Sequence, residues 1–306
     1  MSIKTVPTFI MMCGIPGSGK SEKAEELAKE YNAEIFASDK IRAEITGNET
    51  NQSNNDEVFK ELHSHIRKCL LQGKNCIYDA TNIHYKLRMR FLQHINYICC
   101  NKYCVVAATP YKECIKRNIE RNRVVPEEVI EKMYRNFDIP YWYEGWDNIW
   151  IEYSDGSKDS LGQPKDWLAI VSKFNQENHN HKLSLGFHCL HTYYCINELV
   201  NMVSDELNLS AMIHDNGKCF TKSYKPDVQV KEAHYYNHEN VGSYDSLFYD
   251  IPADHLSVAA LVRWHMQPYS WEKNENDKLR EKYLKLWGNV FYAEIMLLHQ
   301  ADVMAH

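Results

Sequence analysis

The sequence predicts two domains, an α/β domain with a parallel sheet in the first half and an all-α domain in the second. Up to about residue 155, short apolar runs alternate with amphipathic stretches, as in sheets whose parallel strands are joined by helices. From Trp167 onward, apolar residues recur at helical spacing and strand patterns are nearly absent. With 306 residues, 44% of them apolar, the chain is long enough to bury two cores.

Charge and cysteine content exclude several classes of protein. The net charge is −6, with 21 basic and 22 acidic side chains in residues 1–155 and 14 and 19 in residues 156–306. Neither half therefore has the basic excess of a general nucleic-acid-binding domain. The ten cysteines form no Cys-x-x-Cys pair, which indicates reduced thiols. No apolar run approaches the ~20 residues that span a bilayer, so we expect a cytoplasmic protein without a membrane partner.

The most informative stretch is Gly-Ile-Pro-Gly-Ser-Gly-Lys-Ser at residues 14–21, between an apolar run and a helix-favouring segment. It matches the phosphate-binding pattern G-x-x-x-x-G-K-[ST] in its context of strand, glycine turn and helix. The backbone N–H groups of such a turn converge on phosphate oxygens, the lysine adds a charge and the final hydroxyl binds Mg²⁺. We predict a site for ATP and Mg²⁺ formed by Gly14, Pro16, Gly17, Ser18, Gly19, Lys20 and Ser21.

Charged residues follow two predicted strands, at residues 33–37 and 75–79. Asp39 follows the first strand, Arg42 lies one helical turn later, and Asp79 ends the other strand. A carboxylate at this sheet edge can accept a proton from an attacking hydroxyl, and the arginine on the same helix face can hold a phosphate. The alternatives are an N-cap for Asp39, a solvated Arg42, and a turn cap rather than a Mg²⁺-binding carboxylate for Asp79.

Strands over residues 103–108 and 148–152 complete the predicted sheet. Between them, Arg117, Arg121 and Arg123 precede Pro126 and a new helix. This arrangement predicts a basic lid over the phosphates, although a solvated arginine face is an alternative.

Together, the segments GIPGSGKS, SDKIR, DATN, KRNIER and VPEEVIEKMYRNF resemble the kinase domain of the phage-type polynucleotide 5′-kinase family, over roughly residues 7–153. The resemblance implies a parallel sheet in the order 2-3-1-4-5. It implies that Asp39 is the general base for a 5′-hydroxyl and that Arg42 clamps the acceptor's phosphate. Arg117 and Arg121 would contact the phosphates of ATP. The implied acceptors are 5′-hydroxyl ends of RNA or DNA, although related P-loop kinases phosphorylate small molecules.

A polar stretch rich in small residues, at 153–164, is typical of a connection between domains. We therefore predict domains at residues 1–155 and 167–306, with a linker at 156–166. Upstream, the aromatic residues of 140–146 are expected to pack on the first domain, although stacking on bases is an alternative. In the second domain we predict helices over 167–175, 185–207, 209–214, 255–264 and 279–305.

Histidine is concentrated in the second half, where eleven of the fifteen lie from His179 onward. Helices far apart in sequence can bring a His-Asp doublet, single histidines and a late aspartate together around one or two divalent ions. The candidate ligands are His188, His214, Asp215, His238, His265 and Asp302. Register is open, because His191, His234 and His299 each lie one turn from a candidate, and His181 is a candidate for lining the pocket.

The segment His214-Asp-Asn-Gly-Lys218 resembles the H-D-x-G-K signature of the HD phosphohydrolase superfamily, and the resemblance covers residues 180–306. It implies that the six candidate ligands hold one or two divalent transition metals (Mn, Ni, Co, Cu, Fe or Zn), with Asp215 as a catalytic bridge. Lys218 would contact a substrate phosphate. Both halves together resemble bifunctional end-healing proteins that fuse an HD phosphohydrolase to a polynucleotide kinase, although here the kinase comes first.

Three functions are compatible with these patterns. The first is nucleic-acid end healing, with a 5′-hydroxyl kinase and a phosphohydrolase of 2′,3′-phosphate ends. The second is a nucleoside or small-molecule kinase fused to a nucleotide phosphohydrolase, which the acidic charge of residues 156–306 favours. The third is a kinase regulated by a non-catalytic, nucleotide-sensing second domain.

Overall fold

The structure is a computed structural model, and it describes residues 6–49, 54–121, 123–179, 181–226, 232–274 and 277–306. The chain forms two compact units. The first comprises Met1–Ile130 and Glu144–Ser154, and the second comprises Glu131–Tyr143 and Asp155–His306. Among the described residues, no helix is long and apolar enough to cross a bilayer.

The first unit is built on a five-stranded parallel sheet with the order β2-β3-β1-β4-β5, which confirms the predicted strand order. β1 is buried along its whole length between β3 and β4, so its sequence is continuously apolar rather than alternating. The strands are β1 Thr8–Cys13, β2 Glu34–Ala37, β3 Cys76–Asp79, β4 Asn101–Ala108 and β5 Asn148–Tyr153.

Helices connect the strands of the first unit and cover the sheet. Ala24 and Leu27 of the first helix pack against Ile10 and Met12 of β1, which sets that helix directly after the glycine turn. These helices are α1 Lys20–Tyr31, α2 Ser38–Thr46, α3 Asn55–Leu71, α4 Tyr85–Ile95 and α5 Tyr111–Ile119. The chain passes to the second unit within α6 Glu127–Tyr134 and returns within a short 3₁₀ helix at Trp142–Glu144.

The second unit is helical, as predicted, apart from a two-stranded antiparallel ribbon that the sequence analysis did not predict. Its helices are α7 Pro164–Ile170, α8 Leu185–Leu199, α9 Asp205–Ile213, α10 Lys218–Thr221, α11 His238–Asp245, α12 His255–Trp264, α13 Gln267–Lys273 and α14 Asp277–Met304. The ribbon is formed by β6 Ser223–Tyr224 and β7 Ala233–His234. Gly288, with φ of +77°, kinks α14.

The single helix predicted over residues 185–207 is wrong, because the chain leaves the helix after α8 and starts α9. Ser204 is the N-cap of α9. Its backbone is extended, and its side-chain oxygen accepts a hydrogen bond from the N–H of Leu207 at 3.2 Å.

The chain passes from the first unit to the second between Ser154 and Asp155, next to the expected boundary, and a separate segment before it also belongs to the second unit. Residues 131–143 pack in the second unit, although the sequence analysis assigned them to the first domain. There, Tyr141 hydrogen-bonds with Ser257, and the Trp264 indole donates to the hydroxyl of Tyr143. The 156–166 stretch also packs in the second unit, where Leu161 N–H donates to the carbonyl of Phe248.

Candidate active sites

The glycine turn between β1 and α1 depends on two left-handed residues. Gly17 and Gly19 have φ of +84° and +85°, a region that other residues rarely adopt. A Cβ on Gly17 would lie 2.2 Å from the carbonyl oxygen of Cys114, so α5 packs against the turn too closely for any side chain. The sequence pattern of this turn is therefore required by its backbone.

The polar groups of this turn fit phosphate. Lys20 Nζ donates to the carbonyl of Ile15 at 3.3 Å. Burial lowers the pKa of Lys20, while the charge of Asp79 at the end of β3 acts in the opposite direction. The buried hydroxyl of Ser18 has no hydrogen-bond partner among the described residues. An ammonium group and an unsatisfied hydroxyl on a glycine cradle are suited to bind the phosphates of a nucleotide.

An open pocket of about 450 Å³ contains the predicted general base, and its lining residues are Asp39, Glu49, Glu120, Arg121 and Arg123. Asp39 accepts hydrogen bonds from two guanidinium groups. Its Oδ1 lies 2.6 Å from Nη1 of Arg42, and its Oδ2 lies 2.7 Å from Nη1 of Arg123. The carboxylate is thus oriented by two cations and is reachable from the pocket.

The predicted phosphate-binding arginines occupy three environments. Arg42 is buried on α2, where it also lies near the carbonyl of Glu49 and the side chain of Asn55. Arg117 pairs with Glu113 on α5, and one of its Nη atoms lies 3.9 Å from where a Cβ of Gly19 would be, next to the glycine turn. Arg121 lines the pocket.

The second unit brings its six predicted ligands together in one buried cluster. They come from helices that are distant in sequence, which is the convergence that the spacing of the histidines and aspartates predicted. The cluster consists of His188 in α8, His214 and Asp215 directly after α9, His238 at the start of α11, His265 directly after α12, and Asp302 in α14.

Asp215 lies at the centre of the six-residue cluster, and its two oxygens face different groups. Oδ2 is 3.4 Å from Nε2 of both His188 and His214, which in turn lie 3.0 and 3.5 Å from Oδ1 of Asp302. Oδ1 of Asp215 is 3.1 Å from Nε2 of His238 and 3.7 Å from Nε2 of His265. A carboxylate with this placement can bridge two cations, one on each side.

Backbone carbonyls fix the ligand atoms of three histidines. Nδ1 of His214, His238 and His265 lies 2.9, 2.8 and 2.7 Å from the carbonyl oxygen three residues earlier. Because a carbonyl only accepts hydrogen bonds, each Nδ1 carries the proton and each Nε2 is free to bind a metal. The donor set of neutral imidazoles and carboxylates fits divalent transition metals.

The two buried carboxylates of the cluster, Asp215 and Asp302, need compensating positive charge. Burial alone would disfavour the imidazolium of His188, but hydrogen bonds with Asp215 and Asp302 raise its pKa to about 9. His265 is buried beside His214 and His238, and its pKa is lowered to about 3. Protons therefore balance the two carboxylates, and bound cations would replace those protons.

The glycine of the His-Asp-Asn-Gly-Lys segment allows α11 to approach. A Cβ on Gly217 would lie 2.1 Å from the carbonyl oxygen of His238, and one on Gly242 would lie 2.1 Å from the side-chain oxygen of Asn216. Only glycine at both positions lets α11 bring His238 to the doublet.

Lys218 is buried rather than solvated. Its Nζ lies 2.6 Å from Oδ2 of Asp215, 2.9 Å from Oε1 of Gln176 and 3.2 Å from Nε2 of His181. It faces the cluster from the His188 side, where its positive charge compensates the negative charge of Asp215.

The neighbouring histidines whose register the sequence left open lie outside the cluster. His191 is exposed on α8, and His234 stacks on Tyr236 in the ribbon. His299 pairs with Glu272 at 2.8 Å.

Comparisons with known proteins concern mainly the first unit. Residues 9–140 match the family model described as an AAA domain. The L-seryl-tRNA(Sec) kinase of Methanococcus maripaludis is 28% identical over 184 residues, which cover 58% of this chain and 68% of that protein.

Two solved structures are also similar. A putative kinase from Chloroflexus aurantiacus has a TM-score of 0.42 at 14% identity, covering 49% of this chain and 89% of that chain. A chain of the Pnkp1/Rnl/Hen1 RNA repair complex has a TM-score of 0.36 at 25% identity, covering 42% and 43%.

The sheet order, the glycine turn and the family match agree. The first unit has a P-loop kinase-like parallel sheet and is similar to the AAA-domain family over residues 9–140, and we refer to it as the kinase-like unit. In the kinase-like unit, Arg123 was expected only as part of a basic lid over the phosphates, and the site prediction did not place it beside Asp39. In the second unit the prediction left out His306, which lies one helical turn after Asp302, and Tyr269, which donates to Asp302 at 2.9 Å. The i,i+4 spacing could have identified His306, whereas Tyr269 has no sequence signal.

Proposed function

We propose that the chain heals nucleic-acid ends with two activities. The kinase-like unit would phosphorylate a 5′-hydroxyl with ATP. The helical unit would hydrolyse 2′,3′-cyclic, 2′- or 3′-phosphate ends. The kinase half rests on Asp39, a carboxylate that faces an open pocket beside the P-loop and is oriented by Arg42 and Arg123.

In the proposed transfer, the 5′-oxygen bonds to the γ-phosphorus of ATP, the bond from that phosphorus to the ADP oxygen breaks, and the hydroxyl proton passes to Asp39. Lys20 and Arg121 stabilise charge on the transferring phosphoryl group. Ser21 and Asp79 would hold Mg²⁺, which neutralises the β- and γ-phosphates when bound. Arg42 would exchange its bond with Asp39 for the acceptor's phosphate.

An RNA-linked acceptor is supported by the similarity to a protein named L-seryl-tRNA(Sec) kinase. That similarity also favours a second candidate, in which the accepting hydroxyl belongs to an aminoacyl group on tRNA rather than to a 5′ end. Both acceptors present a hydroxyl next to nucleic-acid phosphates, which suits Arg42 as a clamp.

The phosphohydrolase half rests on Asp215, whose oxygens face two groups of metal-binding side chains. Bound cations would activate water and polarise the phosphate. The chain's own residues would hold the phosphate between Lys218 and the six-residue cluster. Water oxygen bonds to phosphorus, the bond to the 2′- or 3′-oxygen breaks, and that oxygen takes up a proton.

A kinase assay with labelled ATP tests the first half. The acceptors are 5′-hydroxyl oligoribonucleotides and oligodeoxynucleotides, seryl-tRNA and a panel of nucleosides. We expect transfer to oligonucleotides that Asp39→Asn removes, while the control Glu49→Gln, in the same pocket, retains it. Transfer to nucleosides alone would contradict the nucleic-acid assignment, and full activity of Asp39→Asn would remove the base.

A hydrolysis assay tests the second half. The substrates are oligonucleotides with 2′,3′-cyclic, 2′- or 3′-phosphate ends and free nucleotides, each with Mn, Ni, Co, Cu, Fe or Zn. We expect release that depends on metal and is lost in Asp215→Ala. If wild-type protein hydrolyses none of them with any metal, the catalytic assignment of the helical unit fails and a sensing role gains support.

A further inference from the structure

Three histidines form a second group at the edge of the six-residue cluster. The ring centroids of His181, His188 and His306 are 4.7 to 5.4 Å apart. One ring nitrogen of each lies within 4.8 Å of the others. Only His188 belongs to both groups. Several imidazoles at this spacing are a donor set that suits Zn, Cu, Ni and similar divalent ions.

The orientation of His188 indicates which cation the other two histidines can reach. His188 Nδ1 lies 3.4 Å from the carbonyl oxygen of Ala305, so Nε2 is its ligand atom. His188 Nε2 is 3.0 Å from Oδ1 of Asp302, and Nε2 of His306 is 3.6 Å from the same oxygen. His306 thus approaches the carboxylate oxygen that His188 also contacts.

His181 reaches the same place from the segment before α8. Its Nε2 faces Lys218, while its Nδ1 is buried without a hydrogen-bond partner among the described residues. Lys218 has two other acceptors, Asp215 and Gln176, and can therefore release His181 Nε2 to a cation.

We propose that His181 and His306 are additional ligands of the cation held by His188, His214 and Asp302. This inference rests on the metal site of the proposed function and extends it. The cation on this side would then have five protein donors besides the bridging Asp215, which leaves almost no coordination position open. The Asp215–His238–His265 side would keep open positions, as catalytic metal sites do. The two cations are therefore unequal, and the catalytic water would bind the cation on the His238 side.

Cobalt binding to the full chain tests the inference, because it needs no enzymatic activity. The proteins are wild type, His181→Gln, His306→Gln and the control His191→Gln, an exposed histidine one turn from His188. Co²⁺ per chain is measured after dialysis, affinity by chelator competition, and ligation by the visible absorption of bound Co²⁺. We expect two ions in wild type, one tighter than the other. Each of the first two variants should weaken the tight site by about tenfold or more and change its absorption bands, and the control should match wild type.

Each other outcome overturns the inference in a distinct way. If both variants stay folded and keep wild-type affinity and absorption, neither histidine is a ligand. If a variant loses one Co²⁺ ion completely while its two remaining ions keep wild-type affinity and absorption, the histidines hold a separate third cation. Loss of binding in Asp215→Ala with unchanged binding in both variants removes this inference and leaves the proposed phosphohydrolase site intact. Absence of Co²⁺ binding in wild type removes both.

Discussion

The two units place their charged groups in different environments. In the kinase-like unit the side chain of Asp39 is 48% exposed, whereas that of Asp215 in the helical unit is 3% exposed. An open carboxylate suits a site that receives highly charged phosphates from solvent and must release them. A buried carboxylate is costly unless opposite charge compensates it, which suits a site that retains cations. This difference in exposure is the one expected if, as proposed, the first site binds phosphates transiently and the second retains its cations.

The largest expected effects concern the independence of the two sites. Lys20→Ala removes the charge nearest the transferring phosphoryl group, so we expect a loss of kinase turnover of roughly 10²–10³-fold or more. Phosphohydrolysis should stay within a few-fold of wild type, because all six proposed ligands of the phosphohydrolase metals lie in the helical unit. Asp215→Ala should have the converse effect. Both activities are measured on the same preparations.

A different result would favour regulation over independence. If Asp215→Ala silences the kinase while circular dichroism shows a folded protein, the helical unit controls the kinase-like unit. That outcome would support the nucleotide-sensing alternative.

Glycine substitutions test whether the two units pack independently of each other. Gly17→Ala would place a methyl group 2.2 Å from the carbonyl oxygen of Cys114, and Gly217→Ala would place one 2.1 Å from that of His238. We expect each to destabilise its own unit by about 1–3 kcal/mol. Gly17→Ala should weaken ATP binding and spare Co²⁺ binding, and Gly217→Ala should do the reverse. Calorimetry and equilibrium dialysis measure both, and loss of both ligands in either variant would contradict separate packing.

The segment of residues 131–143 allows a third test. Asp138 belongs to the second unit, where its Oδ1 accepts from Nε of Arg263 at 2.7 Å and from Nδ2 of Asn240 at 3.2 Å. Arg263 lies two residues before His265, and Asn240 lies two residues after His238. Asp138 therefore links α12 and α11, the two helices that position these proposed ligands. Asp138→Ala leaves Arg263 unpaired in a mostly buried position, and we expect a loss of roughly 2–4 kcal/mol in unfolding free energy.

Chemical denaturation measures this loss, and exposed Glu281→Ala is the control, expected within about 0.5 kcal/mol of wild type. Co²⁺ affinity should also fall in Asp138→Ala. An Asp138→Ala protein as stable as the control would show that the tie between α11 and α12 is unimportant.

The sequence predicted the kinase-like sheet well because its determinants are local. The P-loop needs a strand, a glycine turn and a helix within about two dozen consecutive residues, and the strand before the turn, β1, is an almost continuous apolar run. The candidate ligands were also placed together, since the His-Asp doublet and the isolated histidines carry a recognisable pattern.

Non-local packing explains what the sequence did not reveal. Tyr141 and Tyr143 were expected in the kinase-like domain, yet their partners Ser257 and Trp264 are over a hundred residues away. No local pattern distinguishes one apolar surface from another. Likewise, Arg123 became a partner of Asp39 only because the chain folds back after α5.

The smallest expected effect concerns a buried acid in the helical unit. Burial raises the pKa of Asp245 from 3.8 to about 7, although the hydroxyl of Tyr134 donates to it. Between these two pKa values the folded protein holds a proton that the unfolded chain has released. The contribution of Asp245 to the unfolding free energy is therefore fully present below about pH 4 and falls as pH rises toward 7.

Asp245→Asn should remove this part of the pH dependence, because asparagine cannot ionise and still offers Tyr134 an acceptor. Relative to wild type, the variant should gain roughly 1–3 kcal/mol of unfolding free energy between pH 4 and pH 8. The measurement is urea denaturation at several pH values, with exposed Asp250→Asn as the control for the loss of a carboxylate. The other buried acids are the same in all three proteins, so the difference in unfolding free energy between Asp245→Asn and wild type reports on Asp245. Parallel curves for wild type and Asp245→Asn would mean that Asp245 stays ionised in the folded state, and that Tyr134 alone compensates its burial.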